Sequence, residues 1–295
     1  MKTAEHSEHY PLVSVVIPSY NHAKFVQKTL LSVVGQTYPR MQIIVVDDAS
    51  LDSSPAIISE FAKANQIEVV LRKQNGGLVS ALNEGLALAK GKYVAFLASD
   101  DFWESQKIEK QVAVIDIDEK MQMVFTEGFE VDEVGNILAP IKYTNRKIDS
   151  WYFDDVLMKA DLPPASLLAR TESVRSVGGF SVSFKIEDFP MWLLLLRGGG
   201  YASVLREPLV YYRSHSCNMH NVFSSMVVAE HFAVVDHFSR DLPIRKAALA
   251  EWSLRNANFL ARTKKIASAR YLFRAGFQIF DYRFYACVFK SLFFW

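Results

Sequence analysis

The stretch FLASDDFW (96–103) delivers two adjacent carboxylates, Asp100 and Asp101, at the end of the apolar run Tyr93-Val94-Ala95-Phe96-Leu97. Like charges at the end of a buried strand repel and are partly desolvated, so they call for a positive body between them and a ligand. A second acidic pair, Asp47-Asp48, follows the apolar run QIIVV (42–46). Asn75-Gly76-Gly77 opens a helical pattern, where glycines let backbone approach a ligand and a helix N-terminus favours an anion. A third acidic pair, Glu187-Asp188, sits between a Gly-rich segment and the apolar MWLLLL, and Arg213 and His215 follow a later β-rich stretch. Each feature also has a plain structural reading. Asp100-Asp101 could favour the N-terminus of a helix at 104–115, Asp47-Asp48 could form an Asx turn or cap, and Glu187-Asp188 could be the acidic first turn of a helix.

The elements that must hold these residues alternate along the first hundred positions. VSVVI (13–17), QIIVV (42–46), IEVVL (67–71) and YVAFL (93–97) read as buried strands. Between them, Val26, Leu30 and Val33 or Val34 share one helical face, as do Ile58, Phe61 and Ala62, and then Leu78, Leu82, Leu86 and Ala89. Ser54 is expected to cap the second helix with Pro55 at its first position, and Gly91 to stop the third. Strand–helix–strand repeats with short loops predict an α/β fold with a mostly parallel, doubly wound sheet flanked by helices. The four strands end in PSYN, Asp47-Asp48, RKQNGG and Asp100-Asp101. Ligands of such sheets bind beyond the carboxyl ends of the strands, so one rim gathers these polar tips.

The chain's bounds exclude several classes. It has 295 residues, half of them hydrophobic, which is enough for one large α/β domain plus a helical appendage. The net charge of +1 offers no electrostatic case for nucleic acid. Cys217 and Cys287 are too few and too far apart for a disulfide framework or a thiolate metal site, which fits a cytoplasmic setting. The polar start MKTAEHSEHY lacks the apolar core of a signal peptide, and no run of about twenty uncharged apolar residues predicts a membrane span.

VSVVIPSYNHAKFVQKTLLSVVGQTYPRMQIIVVDDAS, followed by NGG…ALNEGLALAKGKYVAFLASDD, resembles the nucleotide-binding half of the family 2 glycosyltransferases, which are inverting enzymes of GT-A fold. The resemblance runs from about 11 to 111 and resumes more weakly at VGGFSVSFKIEDFPMWLLLL and REPLVYYRSHSCNMH. It implies a polar extension (1–10), a GT-A domain (11–221) with nucleotide-binding (11–111) and acceptor (112–221) halves, and a helical C-terminal region (222–295).

The resemblance also implies roles. A divalent cation, Mn²⁺ or Mg²⁺, bridges the diphosphate of a sugar nucleotide and stabilises the charge that grows on it as the glycosidic bond breaks. Asp100 and Asp101 are the expected ligands, with Asp100 also reaching toward the nucleotide and His215 as a further metal ligand. The family's DxD pattern would put another Asp at 98; here it is Ala98, which leaves the division of labour between Asp100 and Asp101 open. Asp48 is expected to accept the imide N–H of uracil or thymine. Pro18, Tyr20 and Asn21 resemble the first base-contacting loop, and Asn75, Gly76, Gly77 and Asn83 the later nucleotide contacts. Where family members carry Arg before that Asn, this chain has Leu82, so that contact is either missing or supplied from elsewhere, such as Lys73 or Arg72. Asp188 is the expected base that removes the acceptor hydroxyl proton, with Glu187 as its acceptor-side neighbour.

From about 222 the pattern changes to consecutive amphipathic helices broken near Pro243. The aromatic-rich FDYRFYACVFKSLFFW, with Arg283 and Lys290, suits either a bilayer interface or packing on the protein. The first of these implies a peripheral protein on the inner face of the cell membrane and a lipid-linked acceptor. The expected activity is transfer from a UDP- or dTDP-sugar to a glycan or lipid-linked hydroxyl in bacterial surface polysaccharide synthesis. The alternatives are a non-catalytic sugar-nucleotide-binding protein and a nucleotidyltransferase. The latter needs a Gly-rich basic loop after strand one, where this chain has PSYNHAKF.

Overall fold

The computed structural model describes residues 10–141, 150–159, 162–216, 218, 224–260 and 265–275. Its contacts gather into two compact units. The first comprises 1–152, 161–182 and 194–215, and the second 153–160, 183–193 and 216–295.

The first unit is built on a ten-stranded mixed sheet. Strands β1 (Val13–Ser19), β2 (Met41–Asp47), β3 (Glu68–Leu71) and β4 (Tyr93–Phe96) are mutually parallel in the order β3-β2-β1-β4. All seven residues of β1 are buried, which is why its sequence is a continuous β-branched run rather than an alternation. Helices α1 (Val26–Val34), α2 (Ser54–Asn65) and α3 (Leu78–Leu88) make the crossovers. Helix α2 begins one residue earlier than expected. Ser53 occupies the cap position, and the Ser54 hydroxyl accepts the backbone N–H of His22 instead (3.0 Å).

Beyond β4 the sheet continues through β9 (Leu168–Arg170), β6 (Met121–Val131), β10 (Tyr201–Arg213) and β5 (Phe102–Trp103). Strands β7 (Ile137–Ile141) and β8 (Ser150–Trp151) pair with β6 and β10. Strand β9 runs antiparallel to both β4 and β6, while β10 runs parallel to β6. Helices α4 (Lys107–Ile115) and α6 (Thr171–Ser176) also belong to this unit. The core lies between the sheet and its helices, with Val15, Ile17, Val45, Leu30, Ile58, Ala95 and Ile108 in one cluster.

The second unit is helical. It contains α5 (Phe153–Lys159), the start of α7 (Asp188–Arg197), α8 (Ser224–Ser239), α9 (Arg245–Leu260) and α10 (Lys265–Ala275). Its centre is an aromatic stack. Trp252 of α9 lies parallel to His231 of α8 at 5.1 Å and to Phe189 of α7 at 5.3 Å. The Trp252 indole N–H donates to the Leu157 carbonyl (2.7 Å), and Asn256 donates to the Val228 carbonyl (3.1 Å). The Lys185 N–H donates to Glu230 (2.9 Å), so α8 also holds the segment that leads into α7. Among the described residues no helix is long and apolar enough to cross a membrane. The aromatic tail expected at a bilayer interface, 277–295, lies outside the described residues.

Candidate active site

The carboxyl ends of β1, β2 and β4 lie side by side, because Ser19 is in register with Asp47 and Val16 with Phe96. The turn after β4 is fixed from beneath: the Thr29 hydroxyl of α1 reaches the Ser99 (2.9 Å) and Asp101 (2.7 Å) carbonyls. Arg213, at the end of β10, is buried and clamps the same turn. Its guanidinium donates to the carbonyls of Asp100 (2.7 Å) and Glu133 (2.5 Å) and packs over the Phe25 ring. This arginine is therefore spent on shaping the acidic turn.

The two carboxylates of that turn part company. Asp101 is buried and accepts the Arg213 backbone N–H (2.8 Å). Burial, reinforced by the charge of Asp100, pushes its carboxyl well above the usual range. Asp100 instead meets two histidines. Its Oδ2 lies 3.0 Å from His215 Nε2 and 3.7 Å from His22 Nε2. Burial opposes the Asp100 charge, but the His215 hydrogen bond and the nearby imidazoles hold its pKa below the ordinary value. Burial lowers the pKa of His22. One ligand atom from each of His22, Asp100 and His215 can be chosen so that all three lie within 4.8 Å of one another.

Whether a divalent cation fits can be judged from the donors. Asp100 Oδ1 is buried with no hydrogen-bond partner among the described residues, a costly state for a carboxylate oxygen unless a cation takes it. One carboxylate and two imidazoles form a competent donor set for a transition metal. Of the residues expected to ligate a cation, Asp100 and His215 lie together, joined by His22, and Asp101 lies outside this group. The sequence carried a weak signal for His22, a metal-binding residue type at the carboxyl end of the first strand. It became meaningful only once β1 and β4 were seen to be neighbours.

On the other side of the rim Asp48 organises a loop. Its Oδ1 accepts Arg72 Nη1 (2.7 Å) and the Gly76 N–H (2.8 Å), and its Oδ2 accepts the Gly77 N–H (2.8 Å). Gly77 is at φ +85°, a conformation that suits glycine and lets its N–H turn toward the carboxylate. Arg72 also reaches Glu84 (2.9 Å) and Ser80 (2.5 Å), so it anchors α3 to the loop, and Leu82 is core. Asp48→Ala is expected to lose about 2 kcal/mol of stability, because three donors lose a charged acceptor. Hydrogen exchange at the Gly76 and Gly77 amides should accelerate with it. Unchanged protection of both amides would refute the anchoring role.

The remaining expected nucleotide contacts have structural partners of their own. Pro18 lies buried in β1, paired with Val46. Asn21, at φ 56°, accepts the Leu51 N–H through its side chain (2.8 Å), and Tyr20 is exposed beside it. Asp47 closes an Asx turn onto Ser50 (2.9 Å). Asn75, exposed, accepts the Gly77 N–H (3.2 Å). The Asn83 side-chain amide pairs with the backbone of Phe180 in both directions, donating at 2.8 Å and accepting at 2.9 Å. That pairing explains the GGF element. Gly179 is at φ +70°, and a Cβ there would stand 2.6 Å from Asn83 Oδ1.

In the helical unit, Asp188 opens α7 and its Oδ1 accepts the Phe189 N–H (2.6 Å). Glu187 behaves differently. Burial, together with the Asp188 charge, raises its pKa to about 8. Trp192 of α7 is buried in the core.

Comparison with known proteins places this geometry. Residues 14–201 match the family model described as Glycosyl transferase family 2. The chain is 32% identical over 204 residues to a putative teichuronic acid biosynthesis glycosyltransferase of Bacillus subtilis, TuaG, covering 69% of this chain and 79% of that protein. It is 29% identical to an uncharacterized glycosyltransferase of Rickettsia bellii, over 87% of this chain but only 38% of that one. The fold is similar to that of S. aureus TarS residues 1–349 in complex with UDP-GlcNAc, with TM-score 0.62, 18% identity and coverage of 92% and 89%. It is also similar to a mannosyltransferase of Pyrobaculum calidifontis solved with GDP-Man and Mn²⁺, with TM-score 0.61, 18% identity and coverage of 97% and 88%. The matched span exceeds half of the chain, and the chain belongs to glycosyl transferase family 2.

Proposed function

We propose that the protein transfers a sugar from a nucleotide-diphosphate donor, with UDP- and dTDP-sugars favoured, to an acceptor hydroxyl with inversion. The product in this reading is a bacterial cell-surface polysaccharide, and the acceptor a glycan or lipid-linked glycan. The observation that carries it is Asp100 at the carboxyl end of the parallel part of the sheet: its Oδ1 is buried without a hydrogen-bond partner among the described residues, and its Oδ2 faces His215 and His22. The relatives support the surface-polymer context, since one is named for teichuronic acid biosynthesis.

A divalent cation held by Asp100 and the histidines would supply Lewis acidity toward the departing diphosphate. The rest falls to the chain itself. Asp188 accepts the proton of the acceptor hydroxyl as that oxygen forms its bond to the anomeric carbon. The bond from that carbon to the diphosphate oxygen breaks, and the nucleoside diphosphate leaves with the electron pair. The Asp48-held loop, with its glycines and the α3 N-terminus, offers a place for the nucleotide. The PSYNHAKF loop has no glycine, which argues against a triphosphate-binding nucleotidyltransferase.

Calorimetry with UDP, dTDP and GDP in Mn²⁺, with a donor-hydrolysis panel alongside, tests this reading. At least one nucleotide should bind in a metal-dependent way to the native protein, with Asp100→Asn weakening that binding while thermal unfolding stays nearly unchanged. Metal-dependent binding that is identical in Asp100→Asn for every nucleotide would overturn the assignment.

A further inference from the structure

Position 98, where the resembled DxD pattern has a carboxylate, is Ala, and Asp101 Oδ1 accepts the Arg213 backbone N–H (2.8 Å), with Asp101 outside the His22–Asp100–His215 group. Among the described residues, the grouped candidate ligands include one carboxylate, Asp100, and two imidazoles. Two observations show what makes up the difference. First, His22 is held in place: its backbone N–H donates to Ser54 Oγ (3.0 Å), and the adjacent Ala23 N–H donates to Asp52 (2.9 Å). Second, its ring is oriented: Nδ1 lies 2.8 Å from the fully buried Ser99 hydroxyl, which leaves Nε2 facing Asp100. A ligating histidine needs this arrangement, with one nitrogen fixed by a polar neighbour so that the other presents its lone pair.

We propose that His22 is a third protein ligand of the divalent cation, forming with Asp100 and His215 a two-nitrogen, one-oxygen site that takes up Mn²⁺, Co²⁺ or Zn²⁺ in preference to Mg²⁺ and does so before any nucleotide arrives. The selectivity follows from donor chemistry. Mg²⁺ prefers oxygen and sheds its waters reluctantly, so a site dominated by imidazoles suits it poorly. Mn²⁺, Co²⁺ and Zn²⁺ accept imidazole nitrogen, with affinity generally rising along the first-row series. Three protein ligands also mean that the diphosphate is not needed to complete a minimal site. Ser99 is then a positioning residue, acting through the His22 ring.

The proposal rests on the reading of the Asp100 cluster as a metal site, and its test separates the two. Mn²⁺ is titrated into the full chain without nucleotide and followed by electron paramagnetic resonance, with pulsed measurement of the ¹⁴N couplings. The native protein should bind Mn²⁺ and show two imidazole nitrogens, and millimolar Mg²⁺ should displace it poorly. His22→Ala should weaken binding by at least about tenfold and leave one imidazole, since even outer-shell changes at metal sites cost that much. His22→Gln, which keeps a polar side chain of similar reach, guards against a mere folding defect and should also show one imidazole. A native spectrum with a single imidazole, or His22 variants with undiminished Mn²⁺ affinity, would overturn the role of His22. If Mn²⁺ binds only once UDP is present, the nucleotide-independent site fails while the proposed function stands. If no nucleotide brings Mn²⁺ to the protein, both fail.

Discussion

Asp188→Asn is expected to lower turnover by about two to four orders of magnitude while donor affinity stays near the native value, the loss typical of removing a general base. Asparagine keeps the shape and the cap-like contact to the Phe189 N–H but cannot accept the acceptor's proton. Calorimetry of donor binding beside steady-state transfer separates the two effects, and near-native turnover would move the base elsewhere. Glu187 is the next candidate, and the pH profile distinguishes it. Its pKa of about 8 means that a Glu187 base would make the rate climb through that pH. With Asp188 as base, this limb is absent. Stability gives an independent sign check. A carboxyl whose folded pKa is raised favours folding in its protonated form, so its contribution is full below about 4.5 and is lost as pH rises toward about 8. Glu187→Gln should remove that slope.

Trp252→Ala is expected to cost about 3–5 kcal/mol of stability, since it empties the centre of the helical unit. Three things disappear together: the stack on His231, the stack on Phe189, and the hydrogen bond to Leu157. Phe189 directly follows the proposed base, so turnover should fall further than the loss of folded protein explains. Trp252→Phe keeps a ring and loses the Leu157 bond, and should cost about 1–2 kcal/mol. Denaturant unfolding measures both. A Trp252→Ala protein that unfolds within about 1 kcal/mol of native would show that the stack is incidental.

The parallel half of the sheet was legible because β1, β2 and β4 are covered on both faces, which turns each into an unbroken apolar run. Strands β6 and β7 were not read. Met121–Val131 mixes Gln, Thr and Glu among apolar residues, and its partners β9 and β10 lie far away in sequence. The site was legible as residue types and less so as partnerships. Asp48 and Asn83 are polar and near the rim, yet their atoms hold Gly76, Gly77 and Phe180, which no local spacing encodes. His22 was missed for the same reason. A single loop histidine has no periodicity, and its neighbour in space, Asp100, is seventy-eight residues away.

The long strand β10 carries one more consequence. Among the described residues, its side opposite β6 is covered at two places, Ala202–Ser203 by β8 and Val210–Tyr211 by β5. Between them lie Arg206, Glu207 and Pro208, all exposed, where the pairing with β6 also slips register. Open backbone of that length is a template on which a second chain can add a strand. Two charges, a proline without an N–H and a local bulge spoil it. At the far side the sheet ends in β3, only four residues long. Both flanks therefore carry features that disfavour edge-to-edge strand pairing.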